Sequence, residues 1–131
     1  MAELSPFGVR VASGSLREGD GVVLPHAWTE AGVLAAPVTN GAQALHLAVA
    51  LCVLNDTYRE AERLVVPIQG VVVSADGAFD DVWTSTGITY DITVDTPARP
   101  DALALLLEVV DEVAEIPRVL RAGADVRRAG Q

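Results

Sequence analysis

The first regular pattern along the chain is an alternation. Phe7, Val9 and Val11 fall on one side with Gly8 and Arg10 between them, the two-residue period of a strand buried on one face. Glu18-Gly19-Asp20-Gly21 reads as a turn, after which Val22-Val23-Leu24 is expected to return antiparallel to the first strand. Gly32 to Val38 adds a third short extended piece, so the pattern predicts an N-terminal strand meander. The pattern then changes. Thr39 and Asn40 are good N-cap residues, and from Ala42 to about Leu64 no proline or glycine interrupts a run rich in Ala, Leu, Glu and Arg, which predicts a long central helix. Its first half is apolar all round and its second half, Asn55 to Arg63, is mostly polar, so the first half is expected to be enclosed on every side.

Val65-Val66 and Ile68 to Val73 predict the next strand, closed by the turn signal Asp76-Gly77. From Thr86 to Asp95 the alternation is clean, with Ile88, Tyr90, Ile92 and Val94 inward. Beyond Pro97 and Pro100, Asp101 is a capping candidate. Leu103, Leu106, Leu107, Val110 and Val113 then recur at helical spacing opposite Glu108, Asp111, Glu112 and Glu115. Pro117 interrupts this amphipathic helix, Arg118 to Arg121 forms one more turn, Gly123 ends it, and Ala124 to Arg127 reads as a last strand. The order predicts an α+β fold of antiparallel strands around a buried central helix, in a single domain over residues 1–131. A dinucleotide-binding fold is excluded, because no glycine-rich turn joins a first strand to a helix. A domain this small cannot easily surround a helix by itself, so a second copy packing over it is expected.

Composition narrows the chemistry. Half the residues are apolar and 21% are charged, which is the balance of a folded domain and not of a disordered chain. A net charge of −9 makes nucleic acid and anionic membrane surfaces poor partners. All nine cations are arginine, and the absence of lysine removes Schiff-base chemistry and the phosphate-loop lysine. The start, Met1 to Pro6, has no basic, apolar leader, and the longest near-continuous apolar stretch, Ala44 to Leu54, is far short of the roughly 20 residues that span a bilayer, so a cytoplasmic protein is expected.

Cys52 is the only cysteine, which excludes an internal disulfide and a CxxC pair. Its helical neighbours Leu45, Ala48 and Val49 are apolar and Asp56 is a carboxylate; both raise a thiol pKa, and the nearest cation on the helix is Arg59, seven positions on. His46 stands six positions before Cys52, about 120° around the helix, so the two form no dyad. His46 reads first as a core or interface histidine, and His26 as an incidental loop residue. One cysteine and two histidines without metal-ligand spacing predict no metal, and no cofactor motif is present. Trp28, Phe79, Trp83 and Tyr90 are candidates for a ligand pocket or simply core and rim. The carboxylates from Glu108 to Glu115 read as a solvated helix face.

Two segments resemble the osmotically inducible protein C and organic hydroperoxide resistance (OsmC/Ohr) family. Asn40-Gly41-Ala42-Gln43-Ala44-Leu45, followed by an apolar helix carrying Cys52, is similar to the family's Asn-Pro-Glu-Gln-Leu segment and its helix with the peroxidatic cysteine. Ile116 to Val126 is similar to the segment where the family has its second cysteine, a short turn and the last strand. The resemblance implies an intertwined homodimer with sites between subunits. It also implies a thiolate that attacks a hydroperoxide, a second cysteine that resolves it, and an arginine held by a glutamate that activates the first thiol. Here the glutamate position holds Ala42 and the second cysteine position holds Ala114 or Ile116; Arg10 is the candidate activating arginine.

Without a second thiol, a sulfenic acid on Cys52 depends on an external thiol. The preferred expectation is therefore a divergent OsmC-like homodimer that has lost two-cysteine hydroperoxide reduction and binds or transforms a small organic molecule in an apolar interface pocket. A one-cysteine organic hydroperoxide reductase using Cys52 is the alternative, and a purely structural homodimer is the third. Candidate catalytic residues are Cys52, Arg10 and His46; candidate ligand-binding residues are Asn40, Gln43, Tyr58 and Arg59.

Overall fold

The computed structural model describes residues 3–130. Six strands form one sheet in the order β2-β3-β1-β4-β5-β6. They are β1 (Val9–Gly14), β2 (Val22–Leu24), β3 (Val33–Ala35), β4 (Gly70–Phe79), β5 (Ser85–Asp95) and β6 (Val126–Arg128), with helices α1 (Gly41–Leu64), α2 (Pro100–Val113) and α3 (Glu115–Leu120). Val9, Val11, Val71, Val73 and Ala75 are buried in the layer between the sheet and α1, which lies across β1 and β4 and packs against α2. The buried residues of α1, among them Val49, Ala50, Val53 and Leu54, repeat at the three- and four-residue spacing that places them on one side of a helix.

The α+β class and every predicted element are present, but five local expectations change. β2 pairs with β3 and not with β1, because β3 itself takes the place beside β1, leaving β2 at the sheet edge. β4 runs straight through Asp76-Gly77, which pair with Thr89 and Ile88 of β5. The Asp76 carboxylate is occupied by the backbone N–H of Ser5 at 2.7 Å and the Ser5 hydroxyl at 2.5 Å. The turn falls instead at 80–84, where Asp80 Oδ1 accepts from the N–H groups of Val82 and Thr84. Val65 is no strand residue: it ends α1 in the left-handed conformation, φ 57°, with its side chain 87% exposed. β6 lies parallel to β5, as a crossover through α2 and α3 permits, so the pairing is not wholly antiparallel. At the start of α2, Arg99 stands at the cap and Pro100 supplies the first helical residue; Asp101 lies one position inside.

Burial along α1 also departs from expectation. The apolar first half is not enclosed within one chain: Ala44 is exposed, and Leu45, Leu47, Ala48 and Leu51 are only partly buried. The polar second half buries Asp56, Thr57 and Glu60, each with a partner. Thr57 donates to the Val53 carbonyl at 2.7 Å, and the two carboxylates take arginines.

Candidate functional site

Pro117 builds the surroundings of Cys52. Having no N–H, it cannot continue α2, which ends at Val113. Ala114 is extended and fully buried, and the chain restarts as α3 with Glu115 and Ile116 beside Cys52. The Cys52 thiol donates to Glu115 Oε2 at 3.2 Å and lies 3.6 Å from Asp56 Oδ2, while the Ile116 N–H donates to the sulfur at 3.5 Å. Burial pushes the thiol up to about 12, and Glu115 and Asp56 add to it against the opposing Ile116 N–H. At neutral pH the sulfur is a protonated donor.

Arg59 does not serve the thiol. Its guanidinium reaches Glu115 Oε1 at 2.6 Å, Glu60 Oε2 at 3.0 Å and Asp56 Oδ2 at 3.2 Å, so its charge is taken up by three carboxylates. Arg59 holds Glu115 down to about 2. Asp56 moves the other way: its burial raises it, with Asn55 opposing and Glu115 reinforcing the rise. For Glu60, burial acts upward but is outweighed by Arg59 and Arg63, and the carboxyl is lowered. Cys52, Asp56 and Glu115 place one ligand atom each within 4.8 Å of one another. A cation there would compete with Arg59 and would need the thiolate that these carboxylates disfavour.

The other candidates lie elsewhere. Arg10 sits between Val9 and Val11, which face α1, so strand alternation turns it to the opposite face of the sheet, where its Nε donates to Ser74 Oγ at 3.3 Å. Within the chain it therefore stands across the sheet from Cys52. Tyr58 shares a hydrogen bond with Ser13 at 2.7 Å, and the His26 ring meets its edge at 5.3 Å. Asn40 caps α1 by accepting the Gln43 N–H at 2.9 Å. The Gln43 side chain accepts from the Thr39 N–H and donates to the Pro6 carbonyl at 3.0 Å, tying the helix start to the N-terminal segment.

His46 is 1% exposed, and its Nδ1 donates to the Phe7 carbonyl at 2.9 Å. Its ring stacks on Phe79, with centroids 6.3 Å apart, and Phe79 meets Phe7 edge-to-face at 5.4 Å. Gly77 makes room for it, since a Cβ there would lie 2.9 Å from His46 Nε2. The two phenylalanines so placed line, with Gly41, Ala42, Leu45 and Trp83, an apolar pocket of about 290 Å³. Of the four aromatics marked in the sequence, Phe79 and Trp83 belong to this pocket. Tyr90 is core, its hydroxyl donating to Asp111, and Trp28 is not among the lining residues. Glu115 is exposed, as a solvated surface carboxylate was expected to be, but sequence reasoning missed it as a partner of Cys52 and Arg59; Pro117 two positions later was the signal that the helix would break there.

The overall fold also occurs in solved structures. The chain superposes on the OsmC-like protein of Mycoplasma pneumoniae with a TM-score of 0.63 over 71% of each chain, at 13% identity. It superposes on the organic hydroperoxide resistance protein OsmC of Legionella pneumophila with a TM-score of 0.59 at 16% identity, covering 70% of this chain and 68% of that one. This is the OsmC/Ohr fold. A third OsmC/Ohr-type structure, from Vibrio cholerae, is assigned to organic hydroperoxide resistance and holds captopril in one of its active sites. It matches with a TM-score of 0.55 and 18% identity over 92% of this chain and 90% of that one. No protein-family model matches the sequence, and no curated protein matches it. Among the described residues no helix is long and apolar enough to cross a membrane.

Proposed function

We propose that this OsmC-fold chain is a homodimeric binder of a small organic molecule that works without Cys52 as a nucleophile. The observation that carries the reading is the thiol donating to Glu115 while Arg59 is turned onto the carboxylates. A peroxidatic cysteine must be a thiolate, and here the surrounding groups stabilise the thiol. The ligand site in this reading is the apolar pocket of Phe7, Ala42, Leu45, Phe79 and Trp83, where the glutamate of the family motif is replaced by alanine. Small-molecule occupancy of the Vibrio cholerae protein's active site supports it. The half-exposed Leu45, Leu47 and Leu51, together with Val82 and Trp83 at 74% and 75% exposure, support a second copy covering this side of α1.

Consumption of an alkyl hydroperoxide with a monothiol or dithiol reductant tests the reading, with wild type and Cys52→Ala side by side. The expected result is background turnover from both. Rapid, Cys52-dependent turnover would establish the one-cysteine reductase instead. Binding is followed by thermal shift against small aromatic molecules, with Ala42→Trp filling the pocket; ligands that stabilise wild type should lose their effect in this variant.

A further inference from the structure

A second groove lies between α2 and β6, and it holds an arginine with a donor to spare. Along β6, Val126 is buried, Arg127 is exposed and Arg128 returns to the side of Val126, facing α2. Arg128 lines, with Leu103, Leu107, Ala104 and Pro100, a groove of about 380 Å³; Glu108 stands at its rim. These α2 positions recur at three- and four-residue spacing and so form one apolar stripe. Leu103 and Leu107 are both partly buried, and Leu103 also packs against the core.

The two arginines at this corner differ. Arg121 is fully employed: Nε donates to the Val126 carbonyl at 2.8 Å, Nη1 to the Asp111 carbonyl at 3.3 Å, and Nη2 pairs with the Asp111 carboxylate at 3.2 Å. Asp111 also takes the Tyr90 hydroxyl, on the same oxygen that meets Arg121. Arg128 has no such partner. Its Nε is shut off from solvent with no acceptor among the described residues, and Arg128 is in none of the ion pairs found among them. A buried guanidinium N–H without an acceptor is uncommon, and its planar donor set matches a carboxylate.

We propose that the α2–β6 groove binds an amphipathic monocarboxylate of the medium-chain fatty-acid class, its carboxylate accepting from the terminal N–H groups of Arg128 and its hydrocarbon lying along Leu103 and Leu107. The size of the groove suits a small ligand. Glu108 at the rim disfavours a second negative charge, which selects a monoanion over a dicarboxylate. The site is separate from the Phe7–Phe79 pocket and does not depend on it.

Titration calorimetry of the full chain with octanoate and with octanol tests this. Octanoate should bind about tenfold more tightly than octanol, and Arg128→Gln should remove that advantage, since a charge-assisted hydrogen bond is lost. Arg128→Lys should keep part of it. Glu108→Gln, an exposed change that leaves the fold intact, should tighten octanoate by about two- to threefold through removal of a like charge. Ala42→Trp should leave octanoate binding unchanged. Equal affinity for octanoate and octanol, no saturable octanoate binding, no gain in Glu108→Gln, or loss of binding in Ala42→Trp would each overturn the assignment.

Discussion

Near its N-terminus α1 uses a buried polar side chain to shape an apolar surface; near its middle it uses charged side chains to hold a thiol protonated. His46 fixes Phe7 through the Phe7 carbonyl and Phe79 through stacking, and the product is a pocket wall with no charged group in it. Six residues on, Cys52 meets Glu115 and Asp56, and the cation that could have lowered its pKa is bound to those same carboxylates. One helix thus presents an apolar pocket wall at one end and a protonated thiol among carboxylates further along. The OsmC/Ohr fold supplies both positions, and the side chains around them decide what each can do.

The sharpest way to break the first region is to take away the space His46 needs. Gly77→Ala would put a Cβ 2.5 Å from the Gly87 carbonyl oxygen and 2.9 Å from His46 Nε2. Chemical denaturation should show a loss of about 3 kcal/mol, the upper range for forcing an atom into a packed site. A change within error would mean that His46 does not rest on this strand. In the second region, Glu115→Gln removes the nearest negative charge from the thiol and leaves only a neutral amide oxygen as acceptor. Its alkylation by iodoacetamide at pH 8 should become about tenfold faster, and an unchanged rate would remove Glu115 from the account.

The same cluster predicts a pH dependence of stability. Glu115 is held at about 2 when folded against an ordinary 4.5, so its contribution is complete above about pH 5 and is lost as the pH falls from 4.5 toward 2. Asp56, being raised, gives the opposite sign: folding gains as the pH falls through its elevated value. Denaturant midpoints of wild type and Asp56→Asn should therefore draw together or cross as the pH falls, and parallel curves would contradict the sign for Asp56. The smallest expected effect is at the helix start, where Asn40→Ala should cost about 1 kcal/mol by leaving the Gln43 N–H without its cap.

The sequence made the elements legible where periodicity is strong: the central helix, β5 and the amphipathic α2 all stand where the spacing of apolar residues put them. It misled where one local signal had a tertiary competitor. Asp76-Gly77 has the composition of a turn, but Ser5 claims the carboxylate and the His46 ring requires the bare glycine, so the strand continues. Val65 reads as a strand residue, yet helix termination needs a left-handed position there and the valine takes it. At the site, local neighbours pointed to a raised Cys52 pKa, but its main partner, Glu115, is 63 positions away and reaches it only because Pro117 breaks α2. Arg10 could be named from the sequence as a cation on β1; only the pairing of β1 with β4 and the side taken by α1 show that it stands on the other face.

The most direct test of the central claim is the pH dependence of Cys52 alkylation in the wild-type protein, followed by mass spectrometry from pH 6 to pH 11. With the thiol pushed up to about 12, the rate should rise tenfold per pH unit across that range without levelling off. A rate that levels off by pH 8 would show a stabilised thiolate, and the nucleophile that this account denies to Cys52 would be present.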